Sequence, residues 1–106
     1  MPRNGRESTR MIKVAEFLDR YGLHVDPQTR YIDFISEAGA LGSAVLSSTD
    51  YGSRPLTSTP ELRSKAGDCL FSLLALLDES DIDPDELMQD VLDRYQRRME
   101  EYPKGE

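Results

Sequence analysis

Three proline-marked helix starts divide this chain into helical segments. Asp26-Pro27 and Asp83-Pro84 each place an acidic residue directly before a proline, and Pro60 follows a run of serine and threonine residues. An Asp, Ser or Thr side chain caps the free N–H groups at a helix start, and proline fits the first helical position. Apolar residues recur at helical spacing after each start, and no useful alternating strand pattern occurs. The sequence therefore predicts an all-α chain.

The first two helices are bounded by glycine, aspartate and a polar loop. The first runs from Ser8 to Gly22, a residue that tolerates the left-handed conformation at a helix end. The second begins at Asp26-Pro27 and continues through Leu46. Residues 47–59 are rich in Ser, Thr, Asp, Gly and Pro, which compete with regular structure, so this segment is predicted to be a loop.

The last two helices each follow a capping signal. Ser58 and Glu61 have the spacing of a capping box, and the third helix is predicted to continue from there to about Glu79. Asp83 is the predicted cap of the fourth helix, whose apolar positions extend to Met99. Because the capping signals agree with the helical periodicity and no strand pattern appears, the four helices indicate an antiparallel four-helix bundle.

We expect a single helical domain over residues 8–101, because 106 residues suit one hydrophobic core. Residues 1–7 and 102–106 are expected to be disordered tails. Residues 66–77 are apolar on nearly every side, and a helix that is apolar all round must be covered all round. A homodimer or tetramer that assembles through this helix is therefore predicted. Coverage by the chain's own helices is the alternative.

The charge of the chain argues against two classes of partner. Lys and Arg total 13 against 20 Asp and Glu, for a net charge of −7, so the surface repels nucleic-acid phosphates and anionic lipids. No apolar run approaches the roughly 18 residues of a membrane span or forms a signal peptide. The single cysteine, Cys69, cannot form an intrachain disulfide. We expect a cytoplasmic protein that binds neither nucleic acid nor membrane.

Acidic residues follow one stripe on each of the two central helices. Asp33 and Glu37 are one turn apart on the second helix, and Glu61 and Asp68 share a stripe of the third helix with Lys65. Carboxylates at helical spacing on neighbouring helices of a bundle can hold a divalent metal ion. These four acidic residues are therefore candidate metal ligands.

Three sequence blocks resemble the MazG-like nucleotide pyrophosphohydrolases, an all-α superfamily that includes the dimeric all-α dUTPases. They are residues 35–41 (ISEAGAL), 65–76 (KAGDCLFSLLAL) and 82–87 (IDPDEL), within a resemblance over roughly residues 11–99. The resemblance implies an ExxE motif on one helix and an ExxD motif on the next, which bind the magnesium ions that accompany the triphosphate of a (d)NTP. It also implies hydrolysis to a nucleoside monophosphate and pyrophosphate.

Half of the acids implied by this resemblance are replaced. Glu37 matches the first acid of ExxE, but the second position is Ala40. Asp68 matches the last acid of ExxD, but the first position is Lys65. Glu37, Lys65 and Asp68 carry a net charge of −1, whereas four carboxylates carry about −4 and bind a hard divalent cation far better.

Further residues complete the predicted site. Asp33 and Glu61 are the candidates to replace the lost magnesium ligands, although each lies a full turn, about 5.4 Å, from the position it would replace. The resemblance places basic residues near Arg94 and Arg98, which are one turn apart and suit phosphate oxygens. Lys65 is the third candidate for binding phosphate. The alternative for the arginines is a solvated face paired with neighbouring acids.

Two functions are consistent with these features. The first is magnesium-dependent pyrophosphohydrolysis of a (d)NTP, with Glu37 and Asp68 as the magnesium ligands. The alternative is a non-catalytic helical oligomer or pseudoenzyme, which binds nucleotide weakly or serves as a partner subunit. Lys65 separates the two, because its ammonium group favours a metal-free, salt-bridged pocket. The single histidine, His24, is predicted to be an exposed loop residue.

Overall fold

The computed structural model describes residues 9–101 and is all-α. Helices α1 (Thr9–Tyr21), α2 (Pro27–Ser48), α3 (Pro60–Glu79) and α4 (Pro84–Glu101) follow one another along the chain. No strand occurs within this range, and none of its helices is both long and apolar enough to cross a membrane. The predicted all-α class with four helices is confirmed. Both predicted tails lie outside the described residues.

Side-chain caps begin two of the helices as predicted. The Asp26 carboxylate accepts a hydrogen bond from the backbone N–H of Thr29 at 2.7 Å. The Asp83 carboxylate accepts from the backbone N–H groups of Asp85 and Glu86 at 2.8 and 3.3 Å. Each cap satisfies N–H groups that have no partner inside the helix, which fixes where α2 and α4 begin.

The start of α3 differs from the prediction. Thr59 is the N-cap, and its hydroxyl accepts a hydrogen bond from the backbone N–H of Leu62 at 3.1 Å. Because Pro60 occupies the first helical position, the residue directly before it has to be the cap. The predicted capping box of Ser58 and Glu61 is therefore wrong. Glu61 is an exposed residue in the first turn of α3.

The central helix is α3, which packs against α2 along its length and against α1 near its C-terminal end. The buried apolar side chains are Val14, Leu18, Ala44, Leu74, Ala75 and Leu77. Phe71 lies beside this core, and its ring meets the ring of Phe17 edge-on at 5.8 Å. The chain's own helices thus cover two sides of α3, while Leu70 remains 54% exposed. Assembly through α3 stays a prediction.

Helix α4 differs from the other three because none of its residues is buried and it packs only marginally on α1–α3. Its large apolar side chains are between 42% and 56% exposed; they are Leu87, Met88, Leu92, Tyr95 and Met99. Within the described part of the chain, the predicted four-helix bundle is therefore a three-helix unit with a fourth amphipathic helix at its edge.

Candidate functional site

The pairing of α2 with α3 brings two predicted magnesium ligands to the same level. The two helices are antiparallel, and the buried hydroxyl of Ser72 donates a hydrogen bond to Asp33 Oδ2 at 3.2 Å. Glu37 lies one turn after Asp33, and Asp68 lies one turn before Ser72. Because α2 and α3 run in opposite directions, one turn forward along α2 and one turn backward along α3 lead to the same end of the pair. Glu37 and Asp68 are therefore at the same level of adjacent helices.

The charged residues at this level have no partner in the described part of the chain. Glu37 and Lys65 are half-buried and Asp68 is exposed. None of the three forms a side-chain hydrogen bond or an ion pair among residues 9–101. Lys65 therefore does not neutralise Asp68 across its own helix turn. The carboxylates and the ammonium group remain available to a ligand.

The four predicted magnesium ligands do not form one metal-binding cluster. Asp33 is held at the α2–α3 interface by Ser72, and Glu61 is exposed near the start of α3. Within the described residues, neither these two nor Glu37 and Asp68 belong to a group of three ligand atoms that lie within 4.8 Å of one another. Magnesium usually keeps several waters and is held by one or two carboxylates together with substrate phosphates. Magnesium binding by the acids of α2 and α3 therefore stays a prediction.

The arginines predicted to bind phosphate lie on α4. The guanidinium groups of Arg94 and Arg98 lie over the ring of Tyr95, at 5.4 and 5.5 Å from its centroid. Both arginines are exposed, and neither forms an ion pair with any described residue. The predicted pairing of these arginines with neighbouring acids is therefore absent within residues 9–101. Their role in phosphate binding stays a prediction.

A second charged cluster, the His24 network, joins the α1–α2 connection to the end of α3. Gly22 ends α1 with a φ of +63°, as predicted from its position. His24 Nε2 then lies 2.5 Å from Asp19 Oδ1, and His24 Nδ1 lies 3.1 Å from Glu79 Oε2. Glu79 also accepts a hydrogen bond from the backbone N–H of Val25 at 3.0 Å. These contacts hold the α1–α2 connection against the C-terminal end of α3.

Arg30 supplies the positive charge beneath this network. Its Nη2 donates a hydrogen bond to the Leu23 carbonyl oxygen at 2.5 Å, and its Nε lies 3.6 Å from Glu79 Oε2. The side chains of Arg30 and Glu79 are each 11% exposed. Arg30 Nε is buried and has no hydrogen-bond acceptor among the described residues. Glu79 therefore provides the compensating charge for a largely desolvated cation.

The pKa values follow from these contacts. Hydrogen bonds to Asp19 and Glu79 raise the pKa of His24 above its ordinary value of 6.5. Burial alone would raise the pKa of Glu79, but the hydrogen bonds from Val25 and His24 and the charge of Arg30 lower it overall. The contacts thus favour the charged forms of both His24 and Glu79, which makes the network an ion-pair cluster.

Sequence reasoning identified His24 only as an exposed residue and missed its network. His24 Nδ1 also lies 4.0 Å from Asp78 Oδ2, and burial raises the pKa of Asp78. Among the described residues, His24, Asp78 and Glu79 alone form a group of three possible ligand atoms within 4.8 Å. Glu79 is 55 positions from His24 along the chain. No local sequence pattern reports a contact over that separation.

Comparison with known proteins adds no relative. No family model matches the chain, and no curated protein or solved structure matches it. Two charged regions of the described chain are candidate functional sites. One is the α2–α3 face that carries Glu37, Lys65 and Asp68, and the other is the His24 network.

Proposed function

We propose that the chain is a MazG-like protein of the nucleoside triphosphate pyrophosphohydrolase superfamily, whose α2–α3 face binds a (d)NTP together with magnesium. One observation supports this proposal most strongly. Glu37 and Asp68, the two residues that match the family's acids, lie at the same level of an antiparallel helix pair and have no partner among the described residues. Two acids on adjacent helices that have no partner within residues 9–101 suit a cation-bound ligand.

The charge of the face determines how the ligand binds. Two carboxylates and one ammonium group carry a net charge of −1, which is too little to remove water from a free magnesium ion. A triphosphate supplies the missing oxygen ligands, so the ion binds only as part of the nucleotide complex. Glu37 and Asp68 would contact the ion, and the half-buried Lys65 would contact a phosphate oxygen as a point charge. Bound magnesium withdraws charge from the phosphates and activates water.

The reaction assigned to this face is hydrolysis of a (d)NTP to a (d)NMP and pyrophosphate. It is slow, because Ala40 and Lys65 stand where the family has two further acids. A cytoplasmic location accompanies the proposal, since nucleoside triphosphates are its substrates. Arg94 and Arg98 remain candidates for contacting the phosphates, but the proposal does not depend on them, because α4 packs only marginally on the rest of the described chain.

Pyrophosphate release with magnesium tests the proposal. The parent chain is expected to be slow on a panel of NTPs and dNTPs, and Glu37→Gln is expected to abolish the release. The double variant Ala40→Glu with Lys65→Glu restores the four acids and is expected to raise the rate by about 100-fold. Glu16→Gln, on an exposed acid of α1, is the matched control and should leave the rate unchanged. Release that survives Glu37→Gln, or none from the double variant, would contradict the proposal.

The exposed apolar stripe of α4 favours a second candidate, a non-catalytic subunit of a helical oligomer. Apolar side chains that are half exposed on a helix with no buried residue are typical of a surface that another chain covers. This candidate predicts that neither the parent nor the double variant releases pyrophosphate, while the chain still self-associates. Pyrophosphate release therefore separates the two candidates, whereas self-association is expected of both.

A further inference from the structure

The His24 side chain bridges the C-terminal ends of α1 and α3. His24 Nε2 lies 2.5 Å from Asp19 Oδ1 on α1, and His24 Nδ1 lies 3.1 Å from Glu79 Oε2 on α3. An ionised carboxylate only accepts hydrogen bonds, so both ring nitrogens have to donate. Only the protonated imidazole carries a hydrogen on each nitrogen. Both contacts are therefore hydrogen bonds only while His24 is positively charged.

The other charged groups around the ring do not replace its proton. Asp78 Oδ2 lies 4.0 Å from His24 Nδ1 and is a further acceptor, and Asp81 adds negative charge near Asp78. Arg30, on α2, contacts Glu79 and stays charged at every pH at which the chain is folded. Loss of the proton from His24 would leave one ring nitrogen with its lone pair facing a carboxylate. One of the two bridging contacts would then become repulsive.

Apolar packing between α1 and α3 covers a short stretch. Among the described side chains of α1, Val14 and Leu18 are buried, and they pack with Leu74 and Ala75 of α3. The contact between α2 and α3 is more extensive and runs along both helices. An element that is held by few buried contacts opens more readily than the rest of a protein. Helix α1 is therefore the element that a weaker His24 contact would release.

We propose that His24 is a proton-dependent latch, which holds α1 on α3 when protonated and lets α1 open away from the α2–α3 pair when neutral. The raised pKa of His24 agrees with contacts that favour its charged form. The latch is fully closed below pH 6.5 and weakens as pH rises through the pKa of His24 in the folded chain. This inference does not rest on the proposed nucleotide binding, because it involves neither Glu37 nor Asp68.

Thiol labelling tests whether α1 opens by itself. In a Cys69→Ser background, Ala75→Cys places a thiol where α1 covers α3, and Ala44→Cys, on α2, is the matched control; the two alanines are 0% and 6% exposed. Each rate is divided by that of an unstructured cysteine peptide at the same pH, because only the thiolate reacts. From about pH 6 to 8.5, the corrected rate at Ala75→Cys should rise at least about threefold more than at Ala44→Cys. An equal rise at both positions would show global unfolding and overturn the inference.

Amide hydrogen exchange gives the same comparison in the unsubstituted chain. Protection factors, which already correct for the intrinsic effect of pH, should fall with rising pH more steeply at Val14 and Leu18 than at Ala44. This measurement decides the question if Ala75→Cys disturbs the packing under α1. Parallel pH profiles at the three amides would contradict the latch.

Variants of the bridge test the role of the proton. His24→Gln should open α1 already at about pH 6 and remove most of the pH dependence. Asp19→Asn should reduce the pH dependence, because an asparagine amide can donate a hydrogen bond to the unprotonated Nε2 of a neutral His24. Glu16→Gln, on an exposed acid of α1 outside the network, is the matched control and should respond like the parent. A response like that of the parent in both His24→Gln and Asp19→Asn would overturn the inference.

Discussion

The two charged regions of the α2–α3 pair differ in whether the chain satisfies its own charges. Around His24, the carboxylates of Asp19 and Glu79 meet an imidazole, a backbone N–H and the guanidinium of Arg30, all within 3.6 Å. Around Glu37, the chain supplies no such partners within residues 9–101. Charges that the protein neutralises itself hold its elements together. Charges that it leaves unpaired are available to a ligand.

Removing one carboxylate from each region is the strongest test of this contrast. Glu79→Gln leaves the guanidinium of Arg30 largely buried without its counter-charge and weakens the contacts of His24 and Val25. We expect it to lower the free energy of unfolding by about 2–3 kcal/mol. Glu37→Gln removes a charge that has no partner in the described chain. It should change the free energy of unfolding by less than about 0.5 kcal/mol.

Urea unfolding at neutral pH measures both variants against the parent. The same chemical change is made in each case, so the difference between the two variants reports the partners and not the substitution. Equal destabilisation by Glu79→Gln and Glu37→Gln would remove the distinction between the two regions. A stabilising effect of Glu79→Gln would show that burial of the ion pair costs more than it contributes.

A smaller effect is expected from pH. Because the pKa of His24 is raised in the folded chain, its protonated form stabilises the fold below pH 6.5, and this contribution is lost as pH rises through the folded pKa. Because the pKa of Glu79 is lowered in the folded chain, its carboxylate stabilises the fold above pH 4.5. This contribution is lost as pH falls through the pKa of Glu79 in the folded chain. Stability is thus expected to decline as pH rises above 6.5 and again as pH falls below 4.5.

The melting temperature between about pH 5.5 and 8.5 tests the contribution of His24. His24 is the chain's single histidine, so an imidazole titration in this range is assignable to it. The parent should lose stability across the range, and His24→Gln should remove most of that loss. Glu37→Gln, the control from the other region, should keep the parent's slope. An identical slope in His24→Gln and the parent would place the titration elsewhere.

Local chemistry made much of the fold predictable. The caps at Asp26 and Asp83 and the left-handed Gly22 depend on residues within a few positions of each other, and all three are found as predicted. At the start of α3, both Ser58 and Thr59 can cap a helix, so the residue types alone do not decide which one does. Pro60 decides between them, since it fixes the first helical position.

Long-range contacts and uncovered surfaces were not predictable in the same way. The contact between His24 and Glu79 joins residues 55 positions apart, and the sequence around one residue does not indicate contact with the other. The apolar period of α4 was evident, but a period shows only which face is apolar and not what covers it. The level pairing of Glu37 with Asp68 follows from antiparallel α2 and α3, a geometry that was expected from the bundle prediction.

Isothermal titration calorimetry with a non-hydrolysable (d)NTP analogue tests the central proposal most directly. The proposal predicts binding in the presence of magnesium, and an affinity at least about tenfold weaker when the metal is omitted or when Glu37 is replaced in Glu37→Gln. Magnesium titrated alone should give no binding heat at about 1 mM. An affinity that changes neither on omission of magnesium nor in Glu37→Gln, or the absence of any binding by the parent, would contradict the proposal.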